Sequence, residues 1–255
     1  MKIGAQLFTL REFTKTLPQL QETLLRVADM GYTSVQVSGT CPYTPEELSP
    51  MLKKAGLTCD LTHYSADRML KEPEAVCEEH HRFGCGAVGF GSMPGMWGEN
   101  AEPSVFVPLF VEKVKSVSPV YQKEQLQLMY HNHAHEYTLQ FEGKTLMEYL
   151  SEAFAPKEMG FTLDLHWVQR GGFDPIREIE RLEGRLPCVH LKDVEAETMH
   201  FAPVGQGVQN YPAILVALEK AGTKYAFVEQ DDCYGRDPFL CLKESFDYLH
   251  SLGVC

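Results

Sequence analysis

The chain has 255 residues, 44% apolar and 23% charged, with 23 basic against 35 acidic side chains and a formal net charge of −12. Such a composition supports a sizeable core and excludes disordered, collagenous and coiled-coil chains. The acidic balance argues against a nucleic-acid partner, and apolar runs such as residues 105–111 and 213–218 fall far short of the ~20 residues a membrane span needs.

Periodicity predicts an alternation of strands and helices along the chain. Residues 2–8 read as a first strand and 17–30 as a helix closed by Gly31. A second strand is expected at 33–37, then a helix at 45–55 opened by Thr44-Pro45 and closed by Gly56. The third pair covers 57–63 and 73–83, ending at Gly84. A short fourth strand at 86–91 precedes a helix at 103–123 that Pro108 and Pro119 should interrupt or kink. The fifth pair covers 125–133 and 145–154. The sixth covers 159–165 and 174–182, with Asp174 as N-cap and Pro175 in the first helical position. Residues 186–192 and 210–221 supply the seventh pair, and 225–230 and 238–252 the eighth. Eight such units of about 32 residues, with no linker between them, predict a single α/β domain over residues 1–255, a closed (β/α)8 TIM barrel. The dinucleotide fingerprint is missing after the first strand, where QLFTLRE stands.

The N-terminal MKIGAQLFTLREF meets Arg11 and Glu12 too early for a secretory apolar region, so a cytoplasmic protein is expected. The eight cysteines, Cys41, Cys59, Cys77, Cys85, Cys188, Cys233, Cys241 and Cys255, show no CxxC spacing. Most lie in apolar stretches such as LTCDL, LPCVHL and FLCLK and read as free thiols acting as small hydrophobes.

Barrels of this kind carry their chemistry at the C-terminal strand ends. With the two-residue alternation of a strand, YHNHAHEY puts His131 and His133 on one face and Asn132 on the other. TLDLHW pairs Asp164 with His166, VHLKD pairs His190 with Lys192, and FVEQDD pairs Glu229 with Asp231. Buried ionisable groups are costly unless paired or metal-bound, so this many on four neighbouring strands point to a divalent ion such as Mn²⁺, Co²⁺, Zn²⁺ or Mg²⁺. Gln6, Arg11 and His63 sit at or just past the ends of strands one and three, where a polyol could be gripped. Trp97 and Trp167 flank the expected mouth, Trp167 equally suited to packing between barrel and helix. The glycine loops GSMPG and PVGQG could approach a phosphate but more often simply turn. His80 and His81, beside Glu78 and Glu79, read as a solvated helix face.

The chain resembles the xylose-isomerase-like barrels, a group of sugar (phosphate) isomerases and epimerases, inosose dehydratases and endonuclease IV. The resemblance rests on QLFTLRE, GYTSVQVSG, YHNHAHEY, LDLHW, VHLKD, PVGQG and FVEQDD in that order, over nearly the whole chain. It implies one metal ion held by residues of strands five to eight, with Asp164, His190 and Glu229 as ligands. Strand five departs from the family's pattern, because no Glu ends it. His131 aligns best as the fourth ligand, with His133 and Glu136 as alternatives. Gln36 stands where many relatives carry Glu.

A divalent ion beside a carboxylate and a lysine suits proton abstraction next to a carbonyl, through an enediolate. The expected activity is a metal-dependent isomerase or epimerase of carbohydrate metabolism, acting on a sugar or keto-sugar, phosphorylated or not. Glu229 is expected to move the proton, with Lys192, Glu136 or His133 as the second group. His133, His166, Gln6, Arg11 and His63 are expected to bind substrate. Alternatives are an inosose-type dehydratase and a non-catalytic sugar-binding barrel; an endonuclease would need more metal ligands and a basic face. The partner is then a small sugar, with no nucleic acid or membrane, and a homo-oligomer remains open.

Overall fold

The computed structural model describes residues 1–98 and 101–254, so Cys255 lies outside the described residues. Eight parallel strands close a barrel: β1 (Lys2–Gln6), β2 (Ser34–Val37), β3 (Thr58–Tyr64), β4 (Ala87–Phe90), β5 (Gln127–His131), β6 (Gly160–Asp164), β7 (Cys188–Leu191) and β8 (Tyr225–Val228). Each pairs with its neighbour in sequence, and β8 returns to β1 with Lys2 opposite Tyr225. Outside them lie α1 (Leu17–Asp29), α2 (Pro45–Ala55), α3 (Pro73–Phe83), α4 (Pro103–Lys123), α5 (Leu146–Ala153), α6 (Pro175–Arg181), α7 (Tyr211–Lys220) and α8 (Pro238–Ser251). The helix starts follow local chemistry. Asp174 accepts from the Ile176 and Arg177 amides with Pro175 next in line, and Thr145 and Glu148 form a reciprocal capping box. Seven described cysteines are free thiols. Among the described residues no helix is long and apolar enough to cross a membrane.

The barrel interior has an apolar floor beneath a polar layer. Leu61, Ala87, Met129, Cys188 and Phe227 form the floor. Phe227 is fully buried, worth roughly 1.5–3 kcal/mol in apolar transfer alone. Its ring fits because β1 offers Gly4 opposite: a Cβ there would lie 2.7 Å from the ring and 2.9 Å from the Ser34 carbonyl. One layer higher, a Cβ on Gly89 would lie 2.8 Å from the His63 ring, so glycine leaves His63 its place inside the barrel.

Several boundaries differ from the sequence expectation. β1 stops at Gln6, whose side chain accepts the Phe8 amide and starts a 3-10 helix over Leu7–Phe13. Gln125 adopts φ +57° in a turn, so β5 begins only at Gln127. Short helices Ala66–Lys71, His135–Thr138 and Leu165–Arg170 form where the sequence reading places no helix, and the last takes over Leu165 from the end of the expected sixth strand. Neither Pro108 nor Pro119 interrupts α4, which runs 21 residues through both.

His80 is the clearest correction. It is fully buried, not solvated, with Nδ1 2.7 Å from the Val76 carbonyl and Nε2 2.7 Å from Thr62 Oγ1, whereas His81 is exposed. Val76, Cys77, His80 and Phe83 share one helical face, which explains the burial. Burial lowers the His80 pKa from 6.5 to about 4. Between those values the unfolded chain binds more protons, so stability present above pH 6.5 is lost as pH falls toward 4. The loss through this residue should approach about 3 kcal/mol. Urea unfolding at pH 7 and pH 4 tests it: His80→Leu should lose less stability than wild type over that interval by about this amount. Equal losses in the two proteins would remove His80 from the acid sensitivity.

Candidate functional site

Each of the four strands β5 to β8 delivers one ionisable side chain into the barrel at its C-terminal end, and the four side chains meet. Ligand-capable atoms of His131, Asp164, His190 and Glu229 all lie within 4.8 Å of one another, and all four residues are buried. His131 Nε2 is 3.2 Å from Asp164 Oδ2, and His190 Nδ1 is 2.8 Å from Glu229 Oε2 and 3.6 Å from Asp164 Oδ2. Asp164 is held by its own backbone, its amide donating to Asn132 Oδ1 at 2.8 Å and its carbonyl accepting from Asn132 Nδ2. Its Oδ1 caps Leu165–Arg170 through the Trp167 amide, leaving Oδ2 for the cluster. Glu229 follows the last residue of β8, and its amide continues the pairing to the Leu191 carbonyl.

The outward hydrogen bonds set the histidine tautomers. His131 Nδ1 lies 3.3 Å from the Gly91 carbonyl, and His190 Nε2 lies 2.7 Å from Gln36 Oε1. Donating outward turns the lone pairs of His131 Nε2 and His190 Nδ1 toward the carboxylates, the arrangement used by metal-ligating histidines. His190 Nδ1 is buried without a hydrogen-bond partner, although Glu229 Oε2, which Lys192 Nζ also contacts, lies 2.8 Å away. Two lone-pair atoms so close repel unless a proton or a cation lies between them. The group could therefore hold a metal ion, and two imidazoles with two carboxylates suit a borderline divalent ion.

Lys192, almost fully buried, reaches the same carboxylates. Its Nζ is 2.9 Å from Asp164 Oδ2, 2.9 Å from Glu229 Oε2 and 3.0 Å from both oxygens of Asp231. Burial works to raise the pKa of Asp164, but Lys192 and the two imidazoles hold it well below the usual carboxylate range. Glu229 is likewise held low against its burial by Lys192 and His190. Lys192 is raised despite burial by Asp164, Glu229 and Asp231. Burial, opposed by Lys192, lifts Asp231 to about 6. Burial lowers His131, and for His190 the Glu229 and Asp164 carboxylates outweigh it and raise the pKa. Three carboxylates around one ammonium leave the site negative, as a divalent cation requires.

Above the cluster, Trp97 and Trp167 converge on His133, with ring centroids 5.0 and 5.6 Å away. A cleft of about 550 Å³ opens beside them, lined among others by His63, Tyr64, the GSMPG loop, Trp97 and His133. Several buried polar atoms around this mouth have no partner: Gln36 Nε2, His63 Nε2, His133 Nδ1 and Trp167 Nε1. Burial keeps both His63 and His133 neutral, His133 at about 3. A cavity of about 600 Å³ at the opposite end, lined by Met1, Leu215, Leu252 and their neighbours, contains one titratable side chain, Glu219.

Other residues singled out in the sequence lie outside this group. Glu136 is fully buried, its carboxylate accepting from Tyr130 Oη and the His133 amide, and burial raises its pKa to about 7 against those bonds. Arg11 folds onto its own turn, Nη1 donating to the Phe8 carbonyl and the guanidinium 4.4 Å from the Phe8 ring. Gln6 is buried opposite Gln36, with Oε1 held by the Phe8 amide. His166 packs on Phe201 at 4.4 Å, and burial lowers its pKa to about 4. The PVGQG amides are occupied, because Gly205 and Gly207 donate to Asp193 Oδ2 at 2.9 and 3.0 Å. Asp193 and Asn132 are thus structural anchors of the site that alternation does not reveal. The only trace of Asp193's role in the sequence is its place between VHLK and a glycine loop.

The family model described as xylose isomerase-like TIM barrel matches residues 24–252. No curated protein matches the chain. Among solved structures, a sugar phosphate isomerase/epimerase from Parabacteroides distasonis superposes with a TM-score of 0.81 at 22% identity, over 98% of this chain and 93% of that one. An L-ribulose 3-epimerase gives 0.75 at 15%, over 100% and 95%. A probable 3-DHS dehydratase from Bacillus anthracis gives 0.74 at 13%, over 98% of this chain and 99% of that one. At these identities the likeness is one of fold.

Proposed function

The chain belongs to the xylose isomerase-like TIM barrel family, and from that membership and its buried cluster we propose a divalent-metal-dependent isomerase or epimerase of a sugar or keto-sugar. The observation that carries the reading is the convergence of His131, Asp164, His190 and Glu229 within 4.8 Å at the barrel mouth. These four would hold the ion. A divalent cation there supplies Lewis acidity, polarising a substrate carbonyl and easing loss of the proton on the neighbouring carbon.

The remaining chemistry belongs to the chain. Glu229, kept ionised at neutral pH, takes the proton from that carbon. Lys192, kept protonated, donates to the oxygen that becomes more basic as the proton leaves. Unpartnered Gln36 Nε2, His63 Nε2 and Trp167 Nε1 offer donor or acceptor positions for hydroxyl groups, and Trp97 and Trp167 offer flat apolar faces for a sugar ring. Return of the proton to the same carbon from the other face gives an epimer, and to the adjacent carbon an isomer.

Metal analysis followed by substrate screening in D2O tests the reading. The protein purified without chelators should carry one divalent ion per chain. Ketoses, inososes and 3-keto-sugars, free and phosphorylated, should then be screened with product identification by NMR. An isomer or epimer labelled at the carbon next to the carbonyl is expected. An unsaturated product would replace the reading with a dehydratase. Sugar binding without turnover by the metal-loaded protein would replace it with a binding barrel.

A further inference from the structure

We propose that Lys192 is a built-in counter-ion for the cluster: its ammonium holds Asp164 and Glu229 while no divalent cation is bound, and Asp231 takes it over when one enters. The inference rests on the proposed metal site, and it concerns how this chain's own charges rearrange around it. Lys192 Nζ contacts Asp164 Oδ2 and Glu229 Oε2, the oxygens that also face His131 and His190. An ammonium and a divalent ion sharing two buried oxygens would repel strongly at low effective dielectric. One of them must give way.

Asp231 makes the exchange possible without stranding a charge. Both its oxygens already lie 3.0 Å from Nζ, and its side chain is 22% exposed against 0% for Asp164 and 5% for Glu229. The ammonium can therefore release the two inner oxygens while remaining paired, avoiding the penalty of an unpaired buried charge. Trp167 and Phe201 stand 5.7 and 5.8 Å from Nζ and offer their ring faces to the cation. The backbone does not need to move. Gln209 Nε2 donates to the Lys192 carbonyl at 2.7 Å, and Asp193 next to it binds the amides of Gly205, Gly207 and Gln209. The strand end is fixed, so the exchange is confined to side-chain torsions.

On this account Lys192 competes with the metal and Asp231 assists it. The test uses the full chain, stripped with EDTA and titrated with Mn²⁺ alone, with Tm recorded before and after. Lys192→Met should lower the metal-free Tm and bind Mn²⁺ about tenfold or more tighter than wild type. Asp231→Asn should keep the metal-free Tm close to wild type, because Lys192 retains its two inner partners, and should bind Mn²⁺ about tenfold more weakly. Mn²⁺ affinity in Lys192→Met equal to or weaker than wild type would overturn the proposal. So would unchanged affinity in Asp231→Asn, a variant that leaves the inner cluster intact. Absence of saturable binding of any divalent ion to wild type would instead remove the metal site itself, so the two failures are distinguishable.

Discussion

Glu229→Gln is expected to abolish turnover in the metal-loaded protein while leaving the fold in place. Glutamine matches glutamate in size, and the backbone bond from the residue 229 amide to the Leu191 carbonyl does not involve the side chain. What changes is charge. Glu229 is held ionised, against the effect of its burial, by Lys192 and His190 before an ion binds, and a bound cation would keep it so, which leaves it able to accept a proton at neutral pH. An amide cannot accept a carbon-bound proton, and it also removes one of the carboxylates available to the ion. Lys192→Met should cost less, about two to four orders of magnitude in kcat, the span of a single general acid–base group. Turnover with Mn²⁺ present, alongside a circular dichroism melt, reads both effects. Wild-type activity in metal-loaded Glu229→Gln would refute the assigned role.

The barrel and the four-strand cluster are legible in the sequence for the same physical reason. Strands of two-residue period separated by capped helices fix which side chains enter the barrel, and polar residues at the inward positions of β5 to β8 stand out against apolar runs. The charged neighbours of His80 suggest a solvated face, although the spacing Val76, Cys77, His80, Phe83 places it on the buried one. Glu136 cannot be placed from sequence alone. Its distance from the cluster follows from the short helix His135–Thr138, which turns the carboxylate back onto Tyr130 Oη and the His133 amide. The position of Arg11 is hidden from strand alternation for a related reason: a 3-10 helix replaces the end of the expected strand and folds the guanidinium onto Phe8. Asp193 anchors amides 12 to 16 residues downstream, a pairing that only the closed loop creates.

Asp164→Asn separates holding the ion from holding the fold. The introduced amide can still cap Leu165–Arg170 through its carbonyl oxygen, since asparagine and aspartate serve comparably as N-caps. The backbone exchange with Asn132 is untouched. The substitution places an amide where Oδ2 now faces His131, His190 and Lys192, removing one negative charge from the centre of the cluster. Lys192 keeps Glu229 and Asp231 as partners, so the metal-free protein should lose less than the about 3–5 kcal/mol of a fully broken buried pair. The ion has no such substitute. At an effective dielectric of about 20, one unit charge acting on a divalent ion at about 4 Å is worth about 8 kcal/mol, so even after desolvation offsets half of it divalent binding should weaken at least about a thousandfold. Wild type should therefore show a Tm that rises with Mn²⁺ concentration, as ligand linkage requires, and Asp164→Asn should show none over the same range. A purely structural role would predict the opposite pattern, a lowered baseline Tm with the Mn²⁺-dependent rise intact, and that result would remove Asp164 from the ion's ligands.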